Sequence, residues 1–185
     1  MVLRYNKCKT FAYFILLCLL SFSTLARTET MFEGYYQIRL GGVHSGFVIQ
    51  RYSFDSAKKL FSSTYYIRTN QLAGNITESL KATANDKFEP ITYQYTSKTG
   101  NVIKTIDATF KNTDKGPKMT AVVSDGKMGN KIEKDLPKGT FLSTFLAYMM
   151  LSRGISMGKV YSYQGIAEED AADYPGKAKI QEQND

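Results

Sequence analysis

From residue 35 onward the chain alternates apolar and polar residues in short runs, and glycine, asparagine and aspartate separate the runs. A period of two between such breaks predicts strand after strand. Residues 35–40 place Tyr36, Ile38 and Leu40 on one face and Tyr35, Gln37 and Arg39 on the other. Gly41-Gly42 and Gly46 bracket a tight connection around Val43-His44-Ser45, and residues 47–54 resume as a second strand, a hairpin pattern. Residues 60–69 read as a third strand. Residues 76–84 tolerate helix or strand, and their place between strands favours strand. In 91–96, Ile91, Tyr93 and Tyr95 share a face. In 102–110, Lys104 interrupts an apolar face that holds Val102, Ile106, Ala108 and Phe110, as at a rim. Residues 119–123, 127–134 and 159–164 complete a rhythm that recurs roughly every 8–12 residues, as in a sandwich, barrel or curled meander.

One segment departs from that rhythm. In residues 140–154, TFLSTFLAYMMLSRG, Phe141, Leu142, Phe145, Leu146, Met149 and Met150 recur at the spacing of one helical face. Thr140 is placed to cap the start, Arg153 to meet the dipole of the last turn, and Gly154 to take the left-handed position that ends many helices. Ala147 and Leu151 leave the far side apolar too, so the helix calls for burial on most sides. At about 21 Å it is short of the ~30 Å hydrocarbon core of a bilayer, which favours burial against the strands over membrane insertion or packing on another chain. The expected fold class is α+β: a mainly antiparallel curved sheet, a half-barrel meander, wrapped around one apolar helix.

The N-terminus changes the setting. Residues 1–26 combine Arg4, Lys7 and Lys9, an apolar run at 11–20 and a small-residue end with Thr24 and Ala26, the pattern of a secretory signal peptide. The expected division is therefore a signal peptide at 1–26, a half-barrel domain at 27–165 and an acidic and polar tail at 166–185, loose or the incomplete end of the sheet. After cleavage no transmembrane span is expected. Both cysteines, Cys8 and Cys18, lie in the leader, and the leucines before Cys18 do not suit lipid attachment. A mature chain without cysteine has no disulfide, thiol nucleophile or thiolate metal site, which suits a bacterial periplasmic or secreted protein. Losing Arg4, Lys7 and Lys9 takes the formal charge from +7 to +4. Lysines and acids alternate without a basic block, so a nucleic-acid partner is not expected.

Candidate chemistry is sparse. His44 is the only histidine, with Ser45 beside it, but no nucleophile elbow surrounds them, and a solvated turn histidine is the expectation. Glu168, Glu169, Asp170 and Asp173 lack the spacing and glycine of a calcium loop and read as a solvated tail. The 41–46 glycines lack the lysine and hydroxyl of a phosphate loop. Asn75-Ile76-Thr77 matches a glycosylation acceptor, which carries little weight in a bacterial protein. No cofactor or metal is expected, and no catalytic residue. Phe141, Phe145, Met149 and Met150 are the candidate ligand-binding residues, either cementing helix to sheet or lining an apolar space to which methionine adapts.

The order YYQIRLGGVHSGF, ITESLKA, FEPITYQYTSKTG and DLPKGTFLSTFLAYMMLSRGISMGKVYSYQ resembles bacterial periplasmic half-barrel proteins of uncharacterised function. It is similar to the domain preceding the catalytic part of some transglutaminase-like peptidases and, in architecture, to periplasmic lipoprotein carriers. The resemblance covers about residues 32–164 and implies a curled sheet holding a hydrophobic space beneath a helix. In such proteins more strands follow the helix; here only GKAKIQEQND remains near the end, which implies an open edge. The expected function is non-enzymatic: binding a lipid, a lipoprotein-like hydrophobic group or an envelope protein. The alternative is a structural or assembly module that pairs through an open sheet edge.

Overall fold

The computed structural model describes residues 28–154, 156–179 and 181. The expected signal peptide, Ile155 and the end of the tail lie outside the described residues. Eight strands form one sheet in chain order: β1 (Thr28–Leu40), β2 (Val43–Asp55), β3 (Leu60–Thr69), β4 (Ile76–Asn85), β5 (Pro90–Thr99), β6 (Val102–Thr113), β7 (Gly116–Ser124) and β8 (Gly129–Asp135). Each pairs antiparallel with the next, so the sheet is an open meander rather than a closed barrel. The ambiguous segment 76–84 is strand, as its neighbours demand. The first hairpin turns on Gly41 and Gly42, whose φ angles of +55° and +85° suit a two-residue loop that twists with its strands. His44 therefore sits inside β2, opposite Arg39, and not in the turn. β1 also starts earlier than the alternation suggested and carries irregularities at Thr30/Phe32 and Ile38/Arg39.

The register explains how the sheet accepts a second layer. One row runs straight across the inner face, from Phe32 through Tyr52, Ser63, Ala82, Tyr93, Ala108 and Ala121 to Ile132. Ser63, Ala82, Ala108 and Ala121 keep that row low, and none is more than 2% exposed. Over it lies a smaller sheet, in the order β11 (Ala172–Lys179), β10 (Val160–Ala167), β9 (Phe141–Leu142). A 3-10 turn (Ser143–Phe145) and the helix α1 (Leu146–Ser152) follow β9. Phe145, Leu142 and Ile166 are fully buried between the layers. Among the described residues no helix is long and apolar enough to cross a membrane.

Two expectations about the helix fail here. The helix does not begin at Thr140. Phe141 and Leu142 are extended because they pair in parallel with Gly165 and Ile166, and the Thr140 hydroxyl turns back to the Pro137 carbonyl at 2.6 Å. Hydroxyl residues near a helix start compete for backbone partners in this way. Gly154 does take the left-handed conformation, at φ +74°. Leu151 is 57% exposed, so α1 is buried on one side only. Of the two alternatives for residues 166–185, loose or the end of a sheet, the described part takes the second form: residues 172–179 are β11, paired along the whole of β10. That strand hydrogen-bonds β10 and holds the second layer together.

Candidate functional site

Between α1 and the near end of the sheet is an open cleft of about 520 Å³. Tyr52 and Tyr65 form its sheet wall, Leu146, Ala147 and Met150 its helix wall, and Glu168 closes one end beside Ser143. The walls follow from the pleat. Tyr52 on β2 and Tyr65 on β3 face inward on the two rows that also bear Ala82 and Leu80. Tyr52 packs on Tyr148 with ring centroids 4.8 Å apart, and its hydroxyl donates to the Thr144 carbonyl at 2.8 Å. Below it, Gln50 donates to the Ser63 hydroxyl at 3.0 Å, and Ser63 lies 2.7 Å from the Thr144 hydroxyl.

Glu168 is the chemically distinctive group. It is 4% exposed, yet among the described residues no cation pairs with it. Its carboxylate accepts the Ser143 hydroxyl at 2.5 Å and the Thr144 backbone N–H at 3.1 Å. Those are groups at the start of the 3-10 turn, where N–H donors lack intrahelical partners. Burial pushes the Glu168 carboxyl above the ordinary glutamate range, and the two donated hydrogen bonds only partly offset it. The rest of the acidic stretch is also occupied. Asp170 accepts from the Tyr174 hydroxyl and the Ala172 N–H, Asp173 from Lys134 and Gln164, and the Glu169 carbonyl from Lys104 at 2.6 Å. Lys104, which broke an apolar face in the sequence, thus ties the rim of the large sheet to the β10–β11 turn.

Dry surroundings extend under the cleft. Burial raises the phenol pKa of Tyr52 and Tyr65, and pushes Tyr95 up to about 12. The Tyr93 ring is fully buried, and its hydroxyl is the one buried side-chain polar atom without a hydrogen-bond partner among the described residues.

The four candidate ligand-binding residues all belong to the buried core. Phe141 packs edge-on against Tyr163 at 5.8 Å, Phe145 lies between Tyr52 and Phe88, and Met149 is 3% exposed. These three are core, and only Met150 also borders the cleft. Tyr52 and Tyr65 were not singled out by sequence, Leu146 entered only as part of the apolar helix face, and Glu168, read there as part of a solvated tail, is buried instead. The missed signal was the position of Glu168, the first of three consecutive acids and directly after the apolar Gly-Ile-Ala end of a strand. His44 lines a separate depression with Arg68 and Asn70, and the Ser45 hydroxyl is committed to the Val43 carbonyl at 3.0 Å. No histidine–serine hydrogen bond forms there. The cleft presents aromatic and aliphatic walls with a polar end that includes Ser143, Glu168 and Glu169, which suits holding an amphipathic molecule. Comparison with protein-family models, curated proteins and solved structures found no match to this chain.

Proposed function

We propose that the protein is a non-enzymatic periplasmic half-barrel that binds a hydrophobic group, a lipid or lipoprotein-like acyl chain, in the cleft between α1 and the sheet. The observation that carries this reading is the cleft itself. Its volume of about 520 Å³ lies in the range of small-molecule sites, and rings or aliphatic groups line most of it. The apolar chain lies along Tyr52, Tyr65, Leu146 and Met150, with its polar end toward Glu168 and Ser143. The export-type leader and the resemblance to periplasmic half-barrels support the same compartment and role.

Ala147 is exposed on the helix wall, so Ala147→Trp fills the cleft without entering the core. A fluorescent long-chain fatty acid titrated into wild type and variant tests the reading. Wild type is expected to bind, and the variant at least tenfold more weakly. Native mass spectrometry of gently purified protein should show an extractable lipid adduct. A wild type that neither retains lipid nor takes up the probe rules the reading out.

A further inference from the structure

The large sheet ends in two edges, β1 and β8, and the small sheet in β11, and these edges are not alike. β8 carries Lys131, Glu133, Lys134 and Asp135, and β11 carries Pro175, Lys177 and Lys179. Charge, lysine and proline are the usual means by which an edge strand resists pairing with another chain. β1 is less protected: it is 13 residues long, with no proline and no lysine, and its charges, Glu29, Glu33 and Arg39, are of both signs. Its outer edge has no strand partner among the described residues, and Tyr35 and Tyr36 are 71% and 51% exposed.

We infer that β1 is a self-association edge: residues 32–40 pair antiparallel, across a twofold axis, with the same residues of a second copy. The stretch is set off by the irregularity at Thr30/Phe32 on one side and the Gly41-Gly42 turn on the other; the irregularity at Ile38/Arg39 falls within it, with the extra residue, Ser45, on β2 rather than on β1. Pairing it with itself over its full length puts Tyr36 on the axis. Phe32 then lies opposite Leu40, Gly34 opposite Ile38 and Tyr35 opposite Gln37. Glu33 lies opposite Arg39, twice by symmetry, because a twofold interface repeats every contact. The charges complement one another in this register. A slide of two residues one way puts Met31 opposite Arg39, and the other way puts Glu33 opposite Gly41. The groups are free to respond. The Arg39 guanidinium meets only the neighbouring Gln37 side chain, at 3.0 Å, while Glu33 holds Arg51 at 2.7 Å and retains acceptor capacity. Backbone pairing supplies the affinity and the cross-strand pairs the register. The inference stands apart from the ligand reading, since the cleft does not include β1.

The test uses the full chain with Cys8→Ser and Cys18→Ser, so that an added thiol is the only one. In the proposed register, position 36 faces itself at a Cα separation of about 4.5–5.5 Å, within reach of a disulfide. Tyr36→Cys is expected to cross-link to dimer under mild oxidation. Tyr35→Cys and Gln37→Cys are each expected not to cross-link alone and to cross-link when mixed. By sedimentation, wild type should dimerise, and Arg39→Glu, which sets like charges opposite each other twice, should weaken the dimer about tenfold or more. A wild type that stays monomeric up to about 1 mM overturns the inference. So does a dimer that cross-links as readily through position 35 alone, or one indifferent to Arg39→Glu.

Discussion

Glu168→Ala and Glu168→Gln probe the joint between the two layers, and the structure assigns them different costs. Alanine leaves the Thr144 N–H without its acceptor at 3.1 Å, and the Ser143 hydroxyl without its own at 2.5 Å. An orphaned buried donor costs about 1–3 kcal/mol, but Ser143 is exposed enough to turn to water, so only the amide counts in full. Relief of the buried carboxyl's desolvation offsets part of the loss. The expected net cost of Glu168→Ala is about 2 kcal/mol at neutral pH. Glutamine keeps one acceptor oxygen and cannot ionise, which isolates the pH dependence. The folded-state pKa of Glu168 is raised above the ordinary 4.5. Its contribution to stability is therefore complete below the unfolded value and declines as pH rises through the folded value. Wild type should lead Glu168→Gln by most near pH 4, and the gap should narrow toward neutrality. Urea unfolding followed by circular dichroism across that range reads the gap directly. Both proteins share Glu33, Glu133 and Asp173, whose carboxyls are held below their usual range and are paired or hydrogen-bonded in the fold, so their acid losses cancel in the difference. A gap that widens with rising pH would mean that the fold stabilises the ionised carboxylate, and would refute the reasoning.

Other substitutions test the packing between the layers. Phe145→Ala removes a fully buried ring that meets Tyr52 and Phe88, and should cost about 3–5 kcal/mol by chemical denaturation. A loss below about 1 kcal/mol would mean that the 3-10 turn is not seated in the core. Tyr93→Phe deletes a buried hydroxyl without a partner and should leave stability equal or up to about 1 kcal/mol higher, whereas tyrosine-to-phenylalanine changes normally destabilise. A clearly lower melting temperature would show that this hydroxyl has a partner in solution.

The alternation was a sound guide to the strands because each buries one face. Tyr93, Tyr95, Ile106 and Ala108 all turn inward as their spacing indicates. It failed where a distant group decides local structure. Phe141 and Leu142 fit a helical face, but β10 draws them into a sheet and Glu168, on the far side of that strand, caps the turn that follows. Local propensity contains no sign of either partner. His44 was misplaced in the turn, and β2 begins at Val43, four residues earlier than expected, since the paired glycines before it already make a complete turn. The cleft was nearly illegible, because its walls come from β2, β3, α1 and the β10–β11 turn, and no local pattern announces which side chains converge.

The meander has a consequence for how the chain reaches this state. Every pairing in the large sheet joins strands adjacent along the chain, so hairpins can zip one after another with little loop entropy at each step. The lid over that surface comes entirely from residues 141–179. During vectorial synthesis the greasy inner surface therefore waits uncovered until about the last quarter of the polypeptide arrives, a window that calls for a holding chaperone. Pulsed hydrogen exchange during refolding should find the amides of β4–β7 protected no later than those of β10; the reverse order would rule out this sequence of events.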